Sequence, residues 1–273
     1  MGGGGDLWRR RTEFYECSEH DYNPCMMSTR FPGFPRQMPT FFKSLEKNNQ
    51  REWFTPRKEI FETHVRGPMI ELVTLLNERL RDFAPEHVAE EPAKLIYRIY
   101  RDTRFSKDKT PYKTNISALF SYQTLSRHGG AGYYFEVSHR HVGIAGGVYM
   151  PGAEELQTIR EAIAADPKKF LGLVEDRKNR KLLGSLQGER LTRLPKAWLS
   201  QASNPAAEYL KFKQFYWYVE LPASLALTSR LPNVLTRYFK AMSEGLAWFN
   251  DALLAARRRE EEQSRPKRPK PMW

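Results

Sequence analysis

Between Tyr97 and Thr114 the chain reads YRIYRDTRFSKDKTPYKT, where Arg98, Arg101, Arg104, Lys107, Lys109 and Lys113 stand against only Asp102 and Asp108. Guanidinium groups offer flat, bidentate donors and ammonium groups compact point charges, so a cluster of both suits a phosphate or a carboxylate. The hydroxyls of Ser106, Thr110 and Thr114 add neutral donors. Tyrosines at 100, 112, 133 and 134 could stack on a base or a sugar, although aromatic residues in sheets more often pack inward. The candidate ligand-binding set is Arg98, Tyr100, Arg101, Asp102, Arg104, Ser106, Lys107, Lys109, Tyr112, Lys113 and Tyr134. Acid–base work would fall to Asp102 or Glu136, but arginines nearby favour a carboxylate over an acid and so a binding or structural role. The competing reading is a salt-bridge lattice in which Asp102 and Asp108 organise the cations and merely pin the loop.

Other chemistries find little support. His139 and His141 are two residues apart, as strand ligands to a metal would be, but they fall where a hairpin should turn and no cysteine joins them. They read as surface turn residues, and no metal site is expected. His64 sits beside an apolar stripe as a packing residue, and His128 lies in a glycine loop with no partner in sequence. No GxxxxGK phosphate loop, dinucleotide fingerprint or GxSxG elbow occurs, so neither a cofactor nor a nucleophile is identifiable. The two cysteines, Cys17 and Cys25, are both N-terminal and expected to be reduced.

The elements that must position the cationic stretch follow from hydrophobic period. Lys94 to Phe105 alternates as a strand, with Leu95, Tyr97, Ile99, Thr103 and Phe105 inward and Arg98, Tyr100, Asp102 and Arg104 outward. Arg101 falls on the inward side, which requires either a bulge or burial with a partner. Pro111 marks the following residues as a loop. Further strands are expected at Ile116–Tyr122, Tyr133–Val137, Val142–Tyr149 and Phe215–Leu221, the middle two as a hairpin. Helices are expected from Thr40, ending at Asn48 and Asn49 as cap and turn; from Thr55-Pro56 to Phe83, kinked or split at Gly67-Pro68; over Glu154–Ala164; from Asp166-Pro167; briefly after Asn204-Pro205; and from Pro232 to Leu253. Arg177 to Lys196 resists assignment. The expected fold is α+β, a mostly antiparallel sheet of about five strands packed on amphipathic helices. Its polar face would collect Arg98, Tyr100, Asp102, Arg104, Tyr134 and Glu136.

A chain of 273 residues with net charge +12 and pI near 9.6 favours acidic partners, from phosphorylated metabolites to nucleic acid. Mean hydropathy is −0.66 and no apolar run approaches the roughly eighteen residues of a membrane span. With no signal peptide discernible, a cytoplasmic protein without membrane association is expected. Residues 1–38 read as a flexible leader, with Met27 or Met38 as alternative starts, 39–256 as a single domain, and 257–273, including RPKRPK, as a basic tail. Nothing in the composition fixes the oligomeric state.

Three blocks carry a family resemblance: FFKSLEKNNQREWFTPRKEIFE from Phe41, YRIYRDTRFSKDKTPYKT from Tyr97, and GYYFEV followed by GGVYMP between Gly132 and Pro151. Over roughly 40–254 the chain resembles the bacterial and fungal family known as domain of unknown function 2461. The resemblance implies a soluble, single-domain α+β protein and brings no established activity, cofactor or catalytic residue. Where such relatives often read PKGY and later Asp-His-Pro, this chain has Pro195-Lys196-Ala197-Trp198 and Ser203-Asn204-Pro205, which removes a basis for a catalytic role there. The leading expectation is a protein that binds, or acts on, a small phosphate- or carboxylate-bearing ligand at the basic cluster. The alternatives are a nucleic-acid-binding module using the same surface and a docking patch for an acidic protein.

Overall fold

A computed structural model describes residues 31–104, 106–127 and 129–264. The leader up to residue 30, both cysteines, Phe105, His128 and the RPKRPK tail lie outside the described residues.

Four strands form one antiparallel meander in the order β1 (Asn115–Phe120), β2 (Gly132–Ser138), β3 (His141–Val148) and β4 (Phe215–Pro222). Register is set by side-chain alternation, since a slip of one residue would turn every apolar group outward. Phe135 thus lies opposite both Ala118 and Ile144, and Ile144 opposite Val219. Inward residues include Ile116, Phe120, Tyr133, Val137, Phe215 and Trp217, all buried.

The covering layer is α8 (Leu231–Ser264), whose Leu235, Phe239, Met242, Leu246 and Phe249 recur every three or four residues and are fully buried. Phe239 meets Tyr133 and Phe120 at ring separations of 5.0 and 6.0 Å, and Phe249 meets Phe215 at 5.6 Å. Each such side chain contributes about 1.5–3 kcal/mol by leaving water, so this face holds the fold together.

The N-terminal helices are α1 (Gln37–Lys47), the short α2 (Arg51–Phe54) and α3 (Lys58–Phe61), and α4 (Gly67–Leu80). Rather than splitting at Gly67-Pro68, the chain passes into α4 through a π-helical turn at Glu62–Arg66. The wider turn accommodates a proline that cannot donate to the helical ladder. After the sheet's hairpin come α5 (Ala153–Ala165), α6 (Pro167–Val174) with Asp166 accepting from the Lys169 backbone N–H, and α7 (Arg177–Leu183) in the stretch that resisted assignment.

Three expectations are corrected. Lys94–Phe105 is not a strand: a 3₁₀ turn at Pro92–Leu95 leads into two isolated bridges, Ile96 with Ala118 and Tyr100 with Tyr112. The bridges are four residues apart on one side (96 to 100) and six on the other (112 to 118), so a two-residue bulge breaks the ladder. Phe31 and Phe34, assigned to the leader, are buried in the core, and Phe34 donates its backbone N–H to the Ala226 carbonyl at 2.8 Å. Helix α8 continues to Ser264, where Arg257 was expected to begin a tail; the Arg257 guanidinium donates to the Thr124 carbonyl at 2.8 Å. Among the described residues no helix is long and apolar enough to cross a membrane.

Candidate functional site

The face of the sheet away from α8 carries the chemistry. A cavity of about 460 Å³ opens on it, walled by Tyr97, Tyr134, Tyr149, Tyr216 and Tyr218, with Glu136, Leu119, Gly132, Ala145, Gly146, Gly147 and Met150 completing the lining. These residues share a face because strand side chains alternate: Tyr134 and Glu136 on β2 point opposite to Tyr133, Phe135 and Val137. Tyr149 and Met150 form an exposed rim, 57% and 61% accessible. A second hollow of similar volume adjoins it, sharing Tyr134 and lined by Glu46, Asn49, Arg101, Asp108, Lys113 and Ser117 among others.

Glu136 is the hub. Its side chain is 13% accessible. Oε2 accepts from Asn115 Nδ2 at 2.5 Å and the Tyr134 hydroxyl at 2.8 Å, while Oε1 lies 3.0 Å from His141 Nε2 and 3.2 Å from the Tyr218 hydroxyl. Donors converging from β1, β2, β3 and β4 describe a carboxylate rather than an acid. Tyr218 has one proton and two carboxylates in reach, since Glu220 Oε1 is 3.1 Å away. Burial first, and the Glu136 charge second, push the Tyr134 and Tyr218 phenols up, which keeps both as donors. Gly143 makes room: a Cβ there would sit 2.8 Å from the Tyr218 hydroxyl oxygen and 2.9 Å from Glu136 Cγ. Gly147 takes φ +137°, and a Cβ there would meet the Phe215 carbonyl oxygen at 2.1 Å, so the cavity floor closes against β4 only with glycine.

Beside this hub is a cationic lip. Lys113 Nζ lies 5.0 Å and Arg127 Cζ 4.7 Å from the centroid of the Tyr97 ring, and that ring lies 6.4 Å from Tyr134. Burial pushes the Lys113 ammonium down, Arg98 and Arg127 push it further, and Glu136 opposes them. Among the described residues no carboxylate lies within 4 Å of Lys113, Arg98 or Arg127. Asn49 fixes the loop that delivers Lys113, its amide bonding both the carbonyl and the N–H of Tyr112 at 2.9 and 3.0 Å.

The other residues singled out from sequence are dispersed. Arg104 grips Asp102 through two bonds of 3.0 and 2.8 Å on the exposed surface, and those bonds hold the Asp102 carboxyl down at about 2. Arg101 is partly buried and paired with Asp108 and with the Thr110 hydroxyl. The Thr110 backbone N–H and then Arg101 hold Asp108 at about 2. Lys109 donates to the Thr103 carbonyl at 2.8 Å, Lys107 is exposed, and Ser106 is half-buried in the same loop. Tyr112 is buried, stacked on Phe54 at 4.2 Å, with the half-exposed Tyr100 above it. Tyr134 and Glu136 line the cavity, Lys113, Arg101 and Tyr112 line the adjoining hollow with Tyr134, and Asp102 lines neither.

A family model described as "Conserved hypothetical protein (DUF2461)" matches residues 37–248. The chain belongs to the DUF2461 family. No curated protein matches it. The match spans the sheet, the loop delivering Lys113 and the first half of α8, so both the hub and the lip lie within the DUF2461 region.

Two features escaped the sequence reading. His141 is not a surface turn residue but the first residue of β3, bonded to Glu136, while His139 pairs with Glu46 at 3.2 Å. With Val137 opposite Val142, His141 is the diagonal neighbour of Glu136 on the same face, a relation that hairpin register alone would have disclosed. Arg127 lies in an irregular segment where no period could mark it.

Proposed function

We propose that this protein binds a small molecule bearing a phosphate or carboxylate, its anion held by Lys113, Arg98 and Arg127 and its remainder in the tyrosine-walled cavity. The observation that carries the reading is that Lys113 and Arg127 sit over the ring of Tyr97, a wall of the cavity, with the Arg98 charge acting on Lys113 and no carboxylate of the described residues within ion-pair distance of the three. Lys113, half-buried, gains most from an anion supplied from outside, while Arg98 and Arg127 are exposed and Arg127 also donates to the Leu95 carbonyl at 3.4 Å. The cavity volume of about 460 Å³ suits a metabolite rather than a polymer. Arg101 and Arg104, already tied to Asp108 and Asp102, contribute less.

Calorimetric titration with inorganic phosphate and small carboxylates tests the proposal. Binding that weakens about tenfold in Lys113→Ala and again in Arg98→Ala is expected, the loss of one charge-assisted bond each. No heat with any of these anions overturns it. Binding of oligonucleotides with an affinity that falls steeply as salt rises would instead favour the nucleic-acid reading.

A further inference from the structure

Resting on that reading of the lip, we propose that the cavity itself receives a quaternary ammonium group, so that the ligand is a small zwitterion carrying a methylated ammonium at one end and the anion at the other. Three features converge on this chemistry. The walls include tyrosines at 134, 149, 216 and 218, an aromatic lining of the kind that attracts an organic cation, while the Tyr97 ring already carries Lys113 and Arg127. A carboxylate stands among them, Glu136, and the one basic side chain of the described residues within 4 Å of it is His141. Most discriminating is how that carboxylate is already used.

Glu136 accepts from Asn115, Tyr134 and His141 and shares the Tyr218 proton with Glu220. Its lone pairs are therefore largely committed, and it offers charge without free acceptor sites. A primary ammonium entering beside it would leave N–H groups unbonded in a mostly apolar hollow, at a cost. A trimethylammonium has no N–H to satisfy and buries its methyl groups against tyrosine rings and Met150. Tyr97 links the two ends, being a wall of the cavity and the ring over which Lys113 and Arg127 sit.

The test is calorimetry on the full chain with four probes: choline, inorganic phosphate, phosphocholine and phosphoethanolamine. Phosphocholine should bind at least about tenfold more tightly than either choline or phosphate alone, and more tightly than phosphoethanolamine. Glu136→Gln should abolish choline binding and weaken phosphocholine about tenfold while leaving phosphate unchanged; Lys113→Ala should weaken phosphate and phosphocholine about tenfold each while leaving choline unchanged. Tyr216→Leu, which removes a ring but keeps apolar bulk, gives the same readout should Glu136→Gln fold poorly. Phosphocholine binding no better than phosphate, or phosphoethanolamine matching phosphocholine, overturns the ammonium inference and leaves the anion site standing. Failure of phosphate as well as choline overturns both.

Discussion

The two faces of the sheet solve opposite problems. Toward α8, Tyr133, Phe120 and Phe215 pack on Phe239 and Phe249, with Phe135 stacked beside Phe120, and what matters there is volume. On the other face the same strands carry Asn115, Tyr134, Glu136, His141 and Tyr218, joined by hydrogen bonds around a hollow, and what matters is orientation. A strand alternating every residue serves both at once, so stability and binding are separable by mutation although their residues are neighbours in sequence.

That separation orders the expected effects. The largest belongs to the packed face: Phe239→Ala should lower unfolding free energy by about 3–5 kcal/mol in urea titrations, leaving a cavity beneath Tyr133 and Phe120. A comparable loss from any single substitution among Glu136, His141 and Tyr218 would break the comparison.

Next comes His87, buried between Tyr122 and Tyr133 with Nδ1 3.1 Å from the Phe120 carbonyl oxygen. Burial pushes its imidazole from 6.5 down to about 4. Above pH 6.5 neither folded nor unfolded chain holds the proton, so the native state keeps its full stability. Between 6.5 and about 4 the unfolded chain takes up the proton and the folded one does not, so stability falls with falling pH by roughly 3 kcal/mol. Denaturant titrations at pH 7 and 4.5 should show this extra loss in the wild type and not in His87→Gln.

On the open face the effects shift from stability to binding. Gly143→Ala should fold with a modest loss of stability, since the intruding Cβ would sit 2.8 Å from the Tyr218 hydroxyl oxygen and 2.9 Å from Glu136 Cγ, and by displacing both should weaken phosphocholine binding about tenfold. Retained binding in this variant would detach the hub from the site. The smallest effect is expected at the exposed Asp102–Arg104 pair, where Arg104→Ala should leave both the denaturation midpoint and phosphate binding unchanged.

The same contrast explains what the sequence disclosed. The alternation in GYYFEV and the three-to-four spacing along α8 are dictated by burial, and they placed Tyr134 and Glu136 opposite to Tyr133 and Phe135 correctly. The bulge between the bridges at Ile96 and Tyr100 has no such signature, because Tyr97 is apolar enough to suit a core yet walls the cavity. Charge density in 97–114 marked Lys113 but could not separate it from Arg101 and Arg104, whose carboxylate partners are found only once the loop is folded. His141 was missed because its role depends on where the hairpin turns, a matter of one residue.

The most direct measurement is a crystal structure of the protein grown with phosphocholine. The expected result is phosphate density among Lys113, Arg98 and Arg127, with the trimethylammonium between the tyrosine walls beside Glu136. Phosphate density on the exposed loop around Lys107 and Lys109, with the hollow above Gly147 holding only water, would contradict it.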